Sequence, residues 1–155
     1  MTETRTPLLE IRNLVTQFDT RQGPFKAVDD VSLVVEAGRT LCVVGESGSG
    51  KSVMARSILQ IVDKPGRIVS GEIFLNKHRD SHGNVVQGPV DLARLDPRSQ
   101  TIRDIRGRDI AMIFQEPMSS LSPVHRIGDQ IGEVIRVHEK VSKAEARERT
   151  LELLR

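Results

Sequence analysis

The chemistry of this chain concentrates in eight residues, GESGSGKS, running from Gly45 to Ser52. The pattern G-x-x-x-x-G-K-[ST] describes a loop that cradles polyphosphate. Phosphate oxygens need many donors at once, and backbone N–H groups can converge on them only where the chain wraps tightly. Gly45, Gly48 and Gly50 are expected to supply the positive φ angles and close approach this demands. Lys51 can place a point charge on the β- and γ-phosphates, and Ser52 can offer a hydroxyl to Mg²⁺. The binding set read from the sequence is Gly45, Glu46, Ser47, Gly48, Ser49, Gly50, Lys51, Ser52 and Val53, with Lys51 also the catalytic candidate. The loop alone does not name the base. NKHRD (76–80) comes near the guanine-reading Asn-Lys-x-Asp pattern, but Asp80 lies one residue too late.

Such a loop needs a rigid strand before it and a helix after it. LCVV (41–44) is wholly apolar, which suits a strand covered on both faces of a parallel sheet. KSVMARSILQIV (51–62) reads as a helix with Val53, Met54, Ser57, Ile58 and Ile61 on or near one face. That helix stops before KPG (64–66), and its N-terminal dipole points at the phosphates. Upstream, LLEIRNLVTQF (8–18) and VDDVSLVV (28–35) read as strands on either side of the TRQGP turn. Downstream, GEIFLN (71–76) and IAMIF (110–114) read as strands, and residues 77–104 show no clear period. QEPMSSLSP (115–123) reads as loop, and a helix is expected from about Ile127. Ser142 and Glu145 form a capping box at the start of the last helix, with Val141 and Ala146 as its staple.

Composition narrows the setting. The chain has 155 residues, enough for one ordinary domain, and only 3% aromatics, so aliphatic packing must fill the core. The net charge of +2 is too mild to suggest a nucleic-acid partner. No apolar run reaches the ~18 residues of a membrane span, and MTETRTPLLE has no signal-peptide stretch. The single cysteine, Cys42, is expected to be buried in its strand and chemically inert.

IAMIFQEPMSSLSP (110–123), downstream of GESGSGKS, resembles the nucleotide-binding subunit of ABC transporters. Within that family it is similar to the dipeptide/oligopeptide importers, glutathione importers included. AVDDVSLVVEAGRTLCVVGESGSGKSV, RGRDIAMIFQEPM and IGDQIGEVIRVHEKVSKAEA carry the same resemblance. It implies an α/β P-loop NTPase fold of the ABC type. Residues 8–155 would form a partial nucleotide-binding domain after a tail at 1–7. They would hold an N-terminal β-subdomain, part of a RecA-like core and the start of a helical subdomain.

The resemblance implies ATP and Mg²⁺ as ligands and Gly45–Ser52 as the Walker A loop. Gln115 is implied as the Q-loop glutamine, which contacts Mg²⁺ and the attacking water and links the ATP site to the membrane subunits. Phe18 is implied as the adenine-stacking aromatic, with Phe25 as its rival. Residues 118–128 would help form the groove that receives a membrane subunit. The implied partners are transmembrane permease subunits and a second ATP-binding domain, identical or not, with a solute-binding protein acting indirectly. The implied location is peripheral, on the cytoplasmic face of the inner membrane.

Family members carry three more parts after the Q-loop: an LSGGQ-type signature, a Walker B strand ending in Asp-Glu, and a histidine switch. No carboxylate here follows an apolar strand in that manner; Asp29-Asp30 precedes one, and Glu116 belongs to the Q-loop. The chain is therefore expected to be an N-terminal fragment of a longer ATPase, inactive in hydrolysis alone. A P-loop small-molecule kinase is the alternative enzyme, but it would lack the Q-loop. A DNA-repair ATPase would carry a zinc or coiled-coil insertion after the P-loop helix. His78 and His82 have metal-ligand spacing only on a helix, and DSHG makes a solvated turn the expectation. Arg103, Arg106 and Arg108 alternate with Asp104 and Asp109, a pattern expected of a solvated surface.

Overall fold

The computed structural model describes residues 7–80, 82–116, 121–139 and 141–155. The chain divides into two compact units, Met1–Ile110 and Ala111–Arg155.

The first unit is built on an antiparallel sheet of four strands in the order β2-β1-β3-β4. β1 (Leu9–Thr20) and β2 (Gly23–Val35) are joined by a two-residue turn. Gly23, the first residue after the turn, has a positive φ of 113, and its carbonyl accepts the Thr20 hydroxyl at 2.6 Å. β3 (Gly66–Arg79) runs back along β1, and β4 (Val85–Asp91) forms the far edge. β4 lies in the stretch expected to be irregular. Its sequence VVQGPVD contains a glycine and a proline that hide the strand period, and an edge strand tolerates proline because one side needs no ladder donor.

A crease crosses three strands. Asn13 (φ 47) in β1, Asp30 (φ 55) in β2 and Gly71 (φ 95) in β3 leave the extended conformation, and the β1 register shifts against both neighbours there. Asn and Asp tolerate this backbone better than other side-chain-bearing residues. Asn13 Nδ2 donates to Asp30 Oδ1 at 2.7 Å, which joins the two bulges. Bulges of this kind bend a sheet. Here Ile11, Leu14, Val28, Ile73 and Leu75 cluster in one core with Leu92, Ile102 and Ile105. Leu92 belongs to a single 3₁₀ turn, and α2 (Gln100–Ile105) supplies Ile102 and Ile105.

The helix after the glycine loop, α1 (Lys51–Ile58), is shorter than the twelve-residue run expected. Val53, Met54 and Ile58 pack on the core. Ser57 is buried and donates to the Val53 carbonyl at 2.7 Å, which leaves Thr16 Oγ1 to donate to Ser57 Oγ at 2.8 Å. One buried hydroxyl pair thus fastens α1 to the middle of β1.

Two expected strands do not form. Residues 41–44 and 110–114 form no strand among the described residues, Ile110 making only an isolated bridge with Arg106. Val44 is 92% exposed and Ile113 91% exposed, and Cys42 is exposed rather than buried. Apolar composition makes a run suitable for a sheet interior, but a strand needs a hydrogen-bonding neighbour. The described sheet does not reach residues 41–44.

The second unit is a helical hairpin, α3 (Ile127–His138) and α4 (Lys143–Leu153). Gly128 and Gly132 face Thr150, which lets the two axes approach closely. Ser142 caps α4 by accepting the Glu145 N–H at 3.2 Å, as its sequence pattern predicts, whereas the Glu145 carboxylate pairs with Arg149.

Gly71→Ala tests the crease. A Cβ there would lie 2.5 Å from the Asn13 carbonyl oxygen and the Leu14 Cα, on a backbone that disfavours side chains. The variant should lose about 2–4 kcal/mol of stability, read as a lower urea midpoint at unchanged slope.

Candidate nucleotide-binding site

Gly50 is the hinge of the site. It is the N-cap of α1 in left-handed conformation (φ 89), and a Cβ on it would fall 2.1 Å from the Ala27 carbonyl oxygen of β2. Only glycine lets the helix start against the sheet. Gly48 (φ 81) faces open space, with nothing within 4 Å of its Cβ direction. Gly45 departs from expectation, since its φ is not positive. Its lack of a side chain instead makes room for Ser49 Oγ, which would lie 2.8 Å from a Cβ.

The loop closes on itself. The Ser49 N–H donates to the Glu46 carbonyl at 3.2 Å. Lys51 Nζ donates to the carbonyls of Gly45 at 2.8 Å and Glu46 at 2.6 Å and to Ser49 Oγ at 3.2 Å. The ammonium is therefore held over the loop by three oxygens, any of which an anion could replace. No side chain caps α1, and its first turn carries no acidic residue. The first amides of a helix have no intrahelical acceptor, so this terminus offers N–H groups and a positive dipole end together.

A cavity of about 450 Å³ opens beside this terminus. One wall is Gly48–Val53; the other is Phe18, Thr20, Phe25 and Ala27 of the β1–β2 hairpin. Phe18 and Phe25 stand directly opposite each other in the ladder. The Phe18 ring packs on Gly66, where a Cβ would meet it at 2.7 Å, while Phe25 is 59% exposed. The two candidates for the base platform thus border one space, one backed by the sheet and one facing out. The volume and the pairing of an aromatic wall with a donor-rich wall fit a nucleoside polyphosphate. Gly45, Glu46 and Ser47 lie in the loop but do not line the cavity.

The expected Q-loop residue, Gln115, is exposed and lies in the second unit. Of residues 118–128, those at 118–120 fall outside the described residues. His78 is the penultimate residue of β3 and His82 sits in the turn after it, and the described residues hold no group of three or more metal-binding side chains. Thr20 and Ala27 were invisible as site residues in the sequence, because Ala27 acts through its backbone carbonyl and Thr20 through its place in the hairpin.

A family model described as "ABC transporter" matches residues 28–155, most of the chain. The chain belongs to the ABC transporter family. Among the family's curated members, a Brucella ovis protein named for peptide import ATP-binding is 50% identical over 151 residues, covering 97% of this chain and 42% of that protein. An oligopeptide transport ATP-binding protein of Bacillus subtilis is 42% identical, covering 95% of this chain and 41% of its own length. This ABC transporter chain therefore spans about two fifths of those relatives. A solved dimeric ATP-binding cassette with ADP and Pi bound superposes with a TM-score of 0.68 at 20% identity, over 93% of this chain and 54% of that one. That likeness is one of fold.

Two glycine variants separate contact from conformation. Gly50→Ala must push α1 away from Ala27 and should cost about 3 kcal/mol or more. Gly48→Ala meets no atom and should cost about 1 kcal/mol through its φ alone. Thermal unfolding of the two variants checks the order.

Proposed function

We propose that this chain supplies the ATP-binding part of the ATPase subunit of an ABC importer that moves peptides. The observation that carries the reading is the uncapped N-terminus of α1, wrapped by GESGSGKS and facing two phenylalanines across one cavity. In this reading the amides of Gly48–Val53 hold the phosphates and Lys51 leaves its loop carbonyls to meet the β- and γ-oxygens. Phe18 and Phe25 hold the base between sheet and solvent. The Ser52 hydroxyl would be a Mg²⁺ contact, and the ion would supply charge neutralisation when bound.

The peptide class follows from the names of the relatives, and from the resemblance of residues 110–123 to that importer group. The partners in this reading are permease subunits and a second ATP-binding domain, at the cytoplasmic face of the membrane. None of the described helices is long and apolar enough to cross a membrane.

No carboxylate stands among the described residues that line the cavity. Binding without turnover is the expected behaviour of the chain alone, because hydrolysis needs a group to polarise water as well as charge stabilisation. Calorimetric titration of the 155-residue chain with Mg²⁺ and ATP should give saturable binding that Lys51→Ala weakens at least tenfold. Phosphate release should stay at background. Unchanged binding in Lys51→Ala would overturn the site, and Mg²⁺-dependent turnover lost in that variant would reveal a catalytic carboxylate elsewhere in the chain.

A further inference from the structure

The C-terminal end of α1 is fastened by two side chains that the phosphate chemistry does not use. Gln60 has φ 51, at the position just past the helix where glycine is favoured. Its N–H donates to the Ser57 carbonyl and the Ile61 N–H to the Arg56 carbonyl, both at 3.0 Å, a pair of bonds that closes the helix end. A glutamine is strained on this backbone, and such strain persists only where the surroundings hold it. Here the Gln60 amide donates to the carbonyls of Leu92 and Leu95 across the fold.

Arg106 completes the arrangement. Its Nε donates to the Leu59 carbonyl at 2.8 Å, Nη2 to the Gln60 carbonyl at 3.1 Å, and Nη1 to the Pro97 carbonyl at 3.0 Å. The guanidinium thus caps the negative end of α1 with a fixed fork. Burial, with Arg103 nearby, lowers its pKa from the ordinary guanidinium value, but an arginine begins so high that it stays charged. Arg106 also starts a tight turn. The Ile105 carbonyl accepts from Asp109 and Ile110, each at 3.0 Å, while Asp109 accepts the Arg79 N–H at 2.9 Å and Arg108 donates to the Asp80 carbonyl at 2.8 Å.

We propose that Arg106 and Gln60 are positioning residues that set the phosphate loop by holding the far end of α1. The helix has only eight residues, so it is too short to hold its place by its own cooperativity. Its N-terminus is set against Ala27 by a backbone contact, its last turn by Thr16 and Ser57, and the residues just past it, Leu59 and Gln60, by this clamp. A two-turn helix moves as one piece, so release at one end shifts the amides at the other. The bearing on nucleotide affinity rests on the functional reading above; the mechanical claim does not.

The test is amide exchange by NMR on the nucleotide-free chain, with ATP titration alongside. The reporter is the Met54 amide, which donates to the Gly50 carbonyl at 2.8 Å as the first bond of α1. Arg106→Ala and Gln60→Asn, the latter shorter but suited to the same backbone, should each speed Met54 exchange about tenfold and leave Ile11 in β1 unchanged. Arg106→Lys keeps the charge without the fork and should fall between; it serves if Arg106→Ala does not fold. Ile73→Val, a core truncation away from the clamp, should leave the ratio of Met54 to Ile11 exchange as in the parent. ATP affinity should fall five- to tenfold with the clamp variants. Faster exchange confined to Leu59–Ile61, or an equal rise at Met54 in Ile73→Val, would overturn the proposal. If the parent chain binds no ATP, the nucleotide reading fails, and the exchange ratios still decide the clamp.

Discussion

Everything at the site depends on one close contact, the backbone of Gly50 against the Ala27 carbonyl. A helix N-terminus attracts anions only if its amides are free and its position is fixed. Free amides exclude the side-chain cap that normally anchors a helix start. The protein meets both needs by using a residue with no side chain and by pressing its backbone on β2. The remaining restraints then fall to the body and far end of α1, where Thr16, Ser57, Gln60 and Arg106 act.

The sheet serves that placement. Its crease at Asn13, Asp30 and Gly71 lets strands of twelve to fourteen residues curve across one small core. The same hairpin that carries the crease also carries Phe18 and Phe25, so the crease and the aromatic wall belong to one continuous element, which meets the phosphate loop at Ala27.

The apolar runs at 41–44 and 110–114 show the limit of composition as a guide. Their residues suit a covered parallel sheet, and the family resemblance points the same way. Among the described residues they form no strand, and Ile110 alone makes an isolated bridge, with Arg106. Burial is a property of neighbours, and a strand edge with no partner stays exposed whatever its residues.

Read alone, the residues determined the loop, the helix that follows it, the hairpin on either side of Gly23, and the helices that begin near Ile127 and at the Ser142 cap. These are local matters: glycine spacing, a capping hydroxyl and a hydrophobic period act within a few residues of themselves. They also determined the family, because Gly45–Ser52 and residues 110–123 are specific in type and order. Tertiary structure decided the rest. It decided that Gly50 rather than Gly45 carries the strained contact, that β4 forms from a stretch without period, and that Cys42 lies exposed. It decided that Phe18 and Phe25 share a wall and that Arg106, which reads as a surface charge, caps α1. Each of these depends on which backbone carbonyl or ring comes within reach across the fold, and no single residue type announces that.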